Sequence, residues 1–324
     1  MSIVHGTLPG RAEELARAAK LRLAPIEAEY PFQPNVFLHA SGLAQHYVDE
    51  GPRDGEVLVF LHGNPTWSFA WRTAIRRLST RYRCIAVDHI GCGLSDKPAD
   101  HPYRLSGHVE HVEAVLEHLD VERVTLVLHD WGGAIGMGYA RRHPERVERL
   151  VLMNTAAFLS DRMPLRIAAC RVPVFGRLAV QGLNAFARAA TFMAVEQPLP
   201  PLVKRGYLLP YDSWSARIAT HRFVEDIPMK PGHPSYEELG WTGRVLGQFG
   251  DRPTLLAWGM RDWCFTPHFL AEWQERLPRA EVRRFEQAGH YVFEDAREEL
   301  VETVEDFLAR NPQGSRVASA ETDG

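Results

Sequence analysis

Five short, nearly unbroken apolar runs recur along the chain, at residues 57–61, 84–87, 124–128, 150–153 and 254–258. None shows the polar alternation of a strand with one wet face. Runs of this kind are strands buried on both faces, as in a parallel sheet covered by helices on either side. The stretches between them, residues 71–78, 108–119, 133–142 and 269–277, carry helix-forming patterns. Such alternation predicts an α/β fold with a mostly parallel sheet. Residues 281–285 read as a sixth strand, less apolar and so at an edge. Residues 36–39 and 43–48 read as two further strands joined by a turn at Ser41-Gly42.

The alternation stops between residues 156 and 236. That stretch contains no buried-strand pattern and reads as helices over residues 163–170, 180–193, 199–205 and 213–224. An insertion of this size between two sheet strands predicts a helical cap over the strand ends. The expected organisation is therefore a core of residues 35–155 and 237–311, a cap of residues 156–236, an N-terminal extension of residues 1–34 and a disordered tail of residues 312–324. Within the extension, residues 11–23 suit a short amphipathic helix, which Pro25, Pro31 and Pro34 end.

Composition narrows the function. The 324 residues hold 37 Lys and Arg against 41 Asp and Glu, a net charge of −4. There is no basic excess to bind phosphates, so a nucleic-acid partner is not expected. The longest stretch free of those charges, residues 57–71, is interrupted by Gly63, Asn64 and Pro65 and is too short to cross a membrane. Arg11, Glu13, Glu14, Arg17 and Lys20 interrupt any apolar leader, so no secretory signal is expected. The four cysteines are far apart, which predicts neither a disulfide framework nor a zinc site and points to the cytoplasm. No phosphate-binding loop, dinucleotide fingerprint or ligand-spaced histidine cluster is visible, so no cofactor or metal is expected.

The chemistry sits where apolar runs end. The strand at residues 124–128 leads through His129 into Asp130-Trp131-Gly132-Gly133. Strand, tight turn and helix in that order form a nucleophile elbow, with Asp at the apex instead of Ser. A carboxylate is ionised at neutral pH and attacks an electrophilic carbon directly, giving a covalent intermediate that water cleaves. Asp also caps helices, so its partners decide the matter. Phe60-Leu61-His62-Gly63-Asn64-Pro65-Thr66 ends another strand and offers backbone N–H groups for an oxyanion hole. Gly289-His290 follows the last strand, and Asp262 follows the strand before it. The order Asp130, Asp262, His290 is that of nucleophile, acid and base, with Asp262 orienting His290. A competing acid position after residue 153 holds Asn154.

These motifs resemble the α/β-hydrolase fold and, within it, the haloalkane dehalogenase group. The resemblance implies that the side-chain N–H groups of Asn64 and Trp131 bind a departing anion. Leu128 departs from the small residue that much of the fold carries two positions before the nucleophile. Further segments, Asp88 to Pro98, Asn154 to Phe158, Pro210-Tyr211-Asp212-Ser213-Trp214, Arg222 to Pro228 and Gly289 to Asp295, are similar to the β-lactone decarboxylases of bacterial long-chain olefin biosynthesis. That likeness spans roughly residues 35–311. It implies conversion of a cis-3,4-dialkyl β-lactone to a cis-alkene, and work beside ligase-like and reductase partners. The apolar cap residues Val172, Val174, Phe175, Leu178, Leu183, Phe186, Phe192 and Met193 would hold two alkyl chains or simply pack the cap. The alternative is haloalkane hydrolysis by the same five residues. Epoxide hydrolysis, with tyrosines from Tyr207, Tyr211 and Tyr236, ranks third. A binding protein with an idle site is the remaining reading, and it predicts an eroded triad.

Overall fold

A computed structural model describes residues 8–172 and 174–317. Eight strands form one sheet in the order β1-β2-β4-β3-β5-β6-β7-β8. They are β1 (Asn35–Leu38), β2 (Ala44–Glu50), β3 (Val57–Leu61), β4 (Arg83–Val87), β5 (Val124–Asp130), β6 (Val147–Thr155), β7 (Thr254–Gly259) and β8 (Glu281–Phe285). Strand β2 runs antiparallel to β1 and β4, and every pairing from β4 to β8 is parallel. The six expected parallel strands are all present, with β8 at the edge.

Burial on both faces explains the unbroken apolar runs. Along β3, Val59 and Leu61 join the apolar layer on one side of the sheet, and Leu58 and Phe60 the layer on the other. The first layer is closed by α3 (Leu105–His118), α4 (Trp131–Arg142) and α11 (Pro267–Arg276). The second is closed by α2 (Arg72–Leu78), the single turn α12 (Val292–Asp295) and the C-terminal α13 (Arg297–Arg310). Helix α13 is absent from the sequence reading, because its dense charges mask the buried Leu300, Val301, Val304, Phe307 and Leu308.

The chain ends are better attached than expected. Helix α1 (Leu8–Leu23) leads into a stretch whose Leu23, Ile26, Tyr30 and Phe32 are buried in the second layer. The Tyr30 hydroxyl lies 2.6 Å from the Ser68 hydroxyl, and its ring meets Phe32, Trp67 and Phe69. Residues 24–34 are thus core and not an appendage. The tail is ordered through Val317: Gln313 N–H donates to Glu56, Gly314 N–H to Glu148, and Arg316 pairs with Glu148. Small polar residues hid these anchors, which lie on distant segments. Residues 318–324 lie outside the described residues.

Between β6 and α10 (Tyr236–Val245) the chain is helical, as expected, but differently divided. It forms α5 (Leu165–Cys170), the single turn α6 (Phe175–Arg177), α7 (Ala185–Met193), α8 (Pro201–Leu208) and α9 (Ile218–Glu225). The continuous helix expected over residues 180–193 is broken at Asn184. That residue takes a left-handed conformation (φ 53°) and donates from Nδ2 to the Tyr211 carbonyl. Asn is among the few non-glycine residues that tolerate this region.

Buried histidines contribute to the response to acid, and three of them lie together. The rings of His62 and His89 lie 4.3 Å apart, His89 and His108 5.8 Å apart, and His108 stacks on Phe223 at 4.5 Å. Burial pushes the pKa of all three below 6.5, and further below for His89 and His108. Unfolding restores ordinary affinity for protons, so below pH 6.5 the unfolded state binds more of them. Stability contributed by the neutral rings is present above 6.5 and declines as pH falls. Each ring adds a slope of about 1.4 kcal/mol per pH unit at most. Asp88, drawn down to about 2 by His46 and His62 against the pull of burial, acts the same way at lower pH. Both ring nitrogens of His108 lack a partner. His108→Phe is therefore expected to raise stability by about 1 kcal/mol and to flatten the pH slope by about one ring's share. Urea unfolding at neutral and mildly acidic pH measures both.

Candidate active site

Strand β5 ends at Asp130 and α4 begins at Trp131, so the chain turns at one residue. Asp130 accordingly sits at φ 51°, ψ −124°, a region rarely used outside glycine. The turn requires close approach on both sides. A Cβ on Gly132 would stand 2.0 Å from the Leu61 carbonyl oxygen, and one on Gly63 2.0 Å from Asp130 Oδ1. The two glycines bring the ends of β3 and β5 together around the carboxylate.

Asp130 is 8% exposed. Its Oδ1 accepts the Asn64 backbone N–H at 2.7 Å, and the Trp131 backbone N–H also binds the carboxylate. Its Oδ2 lies 3.8 Å from His290 Nε2. Burial raises the Asp130 pKa, which His290 and the two N–H groups restrain. His290 Nδ1 donates to Asp262 Oδ2 at 2.8 Å. Burial alone would lower the His290 pKa, but the charge and hydrogen bond of Asp262, with the charge of Asp130, raise it above 6.5. The structure thus brings the three expected residues together, with His290 hydrogen-bonded to Asp262 and 3.8 Å from Asp130.

Several supporting groups were not legible as such. Asn154, also in the left-handed region (φ 38°), donates from Nδ2 to Asp262 Oδ2 at 2.9 Å and accepts from Gly259 N–H. The Cys264 N–H binds the other Asp262 oxygen at 2.6 Å. The position where a second acid could have stood therefore holds the amide that orients the acid in use. His129 donates from Nε2 to the His290 carbonyl at 2.9 Å; burial holds its own pKa well below 6.5, so it is neutral. The position of His129 beside Asp130 was visible in the sequence, but its partner was not.

Asn64 and Trp131 flank Asp130 at the floor of a cavity of about 340 Å³. One N–H of Asn64 Nδ2 is already given to the Thr220 carbonyl on α9, at 3.0 Å, and the amide's second N–H is the one left for a bound anion. Most of the wall is apolar and comes from the helices between β6 and α10: Ile167, Val180, Phe186, Ala190 and Met193, with Phe158 from below. Among the described residues no group of three or more His, Cys, Asp or Glu could hold a metal. No helix among them is long and apolar enough to cross a membrane.

Comparison with known proteins gives the family. Residues 56–296 match the α/β hydrolase fold family, and the chain belongs to it. Within that family it is 46% identical to a cis-3-alkyl-4-alkyloxetan-2-one decarboxylase of Xanthomonas campestris, over 87% of this chain and 98% of the relative. A decarboxylase of the same name from Shewanella oneidensis is 45% identical, over 86% and 89%. A haloalkane dehalogenase of Mycobacterium marinum is more distant, at 34% over 81% and 88%. The crystal structure of the haloalkane dehalogenase DatA of Agrobacterium tumefaciens superposes with a TM-score of 0.76 at 31% identity, covering 86% of this chain and 97% of that one.

The hydrogen-bond line makes a prediction that needs no substrate. In the wild type, nuclear magnetic resonance of the His290 ring is expected to show a pKa above 6.5. In Asp262→Asn the larger of the two charges that raise it is gone while burial remains, so the pKa is expected to fall. An unchanged His290 pKa in that variant would show that Asp262 does not set it.

Proposed function

We propose that this chain is a β-lactone decarboxylase, converting cis-3,4-dialkyl oxetan-2-ones to cis-alkenes with Asp130 as nucleophile. The relatives at 45–46% identity carry that activity in their names. The observation that carries the mechanism is the split role of the Asp130 carboxylate. Its Oδ1 lies where backbone N–H groups would hold an oxyanion, and its Oδ2 faces His290. The group can act first as a nucleophile and then as an electrophile.

In the first step Asp130 Oδ2 bonds to the lactone carbonyl carbon, and that carbonyl oxygen takes the electron pair. The free N–H of Asn64 and the indole N–H of Trp131 receive the charge. The adduct then fragments. The bond between ring carbons 2 and 3 supplies the pair for the alkene, carbon 4 releases the ring oxygen with its pair, and the carbonyl re-forms. Suprafacial loss of both bonds keeps the alkyl groups cis. What remains on Asp130 is a mixed anhydride with carbonic acid. His290 takes a proton from water, which attacks Asp130 Cγ while Oδ1 draws charge toward the Asn64 and Trp131 backbone N–H groups. His290 returns the proton and bicarbonate leaves. Asp262 holds the imidazole in the required tautomer throughout.

The same reading assigns residues 156–236 as the cap that holds the two alkyl chains. It places the chain in the cytoplasm, beside the ligase-like and reductase enzymes of an olefin pathway.

Purified protein is expected to form cis-alkene from a synthetic cis-dialkyl β-lactone far faster than it releases bromide from 1-bromoalkanes. Asp130→Ala abolishes alkene formation, a loss of at least about 10⁴-fold. In His290→Ala one alkene forms per site and turnover then stops, leaving acylated Asp130. In ¹⁸O-water, single turnover labels Asp130. Bromide without alkene would make the chain a haloalkane dehalogenase; alkene with no label in Asp130 would overturn water attack at Asp130 Cγ.

A further inference from the structure

The outer face of the helices over the cavity does not resemble the rest of the surface. Of the large apolar side chains that are exposed, most fall between residues 165 and 192. Leu165 is 87% exposed, Val174 73%, Leu183 72% and Phe192 64%, with Leu178 beside them. The segment of residues 161–192 carries five arginines, Arg162, Arg166, Arg171, Arg177 and Arg188, against one acid, Asp161. Its charge is 5 − 1 = +4 in a chain whose total is −4. None of the five arginines forms an ion pair with an acid among the described residues.

The two faces of each helix divide the work. On α7, Phe186, Ala189, Ala190 and Met193 line the cavity, while Arg188 and Phe192, one helical turn apart, face solvent. On α5, Ile167 and Cys170 line the cavity and Leu165 faces out. Helices α5 and α6 and the π-turn of residues 178–182 pack on one another, and α7 packs on the same turn. Met163, Pro164 and Arg166 belong both to this segment and to the cavity wall. The exposed apolar residues therefore border the cavity.

We propose that this face docks on an anionic lipid bilayer, so that the cavity draws its ligand from the membrane. Isolated aliphatic side chains ringed by arginines suit the boundary of headgroups and acyl chains. There the apolar tips enter the hydrocarbon, and the guanidinium groups reach the phosphates on their long stems. Leu, Val and Phe tips beside arginines, with Asp161 the one acid of the segment, match the composition of a surface that lies in the membrane interface. A lactone with two long alkyl chains partitions into the same boundary; that substrate rests on the function proposed above, but the docking does not.

Docking is read without substrate, by sedimentation of the full chain with vesicles of phosphatidylcholine alone or mixed with phosphatidylglycerol. The chain is expected to pellet with the mixed vesicles and to be released by high salt. Leu165→Glu with Leu183→Glu should weaken binding at least about tenfold, and Arg188→Gln about fivefold. None of these residues lines the cavity, so turnover of a water-soluble short-chain lactone should stay unchanged, which also reports that the variants fold. Absence of pelleting, or pelleting that the glutamate pair leaves intact, would overturn the proposal. Binding of the wild type to polyglutamate that the glutamate pair and Arg188→Gln weaken, with no vesicle binding, would overturn it by assigning the face to an acidic protein instead.

Discussion

A carboxylate held almost out of water at the end of β5 is the constraint on which the rest of the site depends. Asp130 is raised by burial and would lose its charge without compensation. The compensation is local: two backbone N–H groups from the turns after β3 and β5, and the imidazolium-prone His290. Each of these imposes a demand elsewhere. The N–H groups require glycines at positions 63 and 132 so that the turns can close. The imidazole requires Asp262, and Asp262 requires Asn154 and the Cys264 N–H. The buried charge thus organises the ends of four neighbouring strands, β3, β5, β6 and β7, together with the loop after β8.

Much of this was legible because strand ends are marked in sequence. Continuous apolar runs locate β3 to β7, and the residues just after them, Asn64, Asp130 and Asp262, are where side chains of a parallel sheet meet. Where reading failed, the missing information was tertiary. Asn154 looked like an absent acid because its partner lies about a hundred residues away. The carbonyl of Thr220 that holds Asn64 has no sequence signature at all. Helix α13 reads as charged until its five buried residues are seen against the sheet. Residues 24–34 and 312–317 look like loose ends because their anchors, Ser68, Glu56 and Glu148, belong to distant segments.

The helices over the cavity obey different rules from the core. Core positions are fixed by packing on two sides, so periodicity predicts them. The covering helices pack on one side only, and their breaks depend on single residues such as Asn184. Their inner face is apolar and their outer face mixes arginines with exposed apolar side chains, which blurs the amphipathic pattern that would otherwise set helix limits. That blurring is itself informative, since it separates a lining surface from one turned outward.

The hydrogen bond from Asn64 to the Thr220 carbonyl ties a donor beside Asp130 directly to the helices above it. Asn64 follows the end of β3, and Thr220 rides on α9. If α9 lifts to admit a bulky ligand, Asn64 loses the acceptor that fixes its amide plane, and the remaining N–H is no longer aimed. If α9 settles back, the donor is set again. The shape of the cavity roof and the aim of the donor at its floor are therefore tied to one another through a single amide.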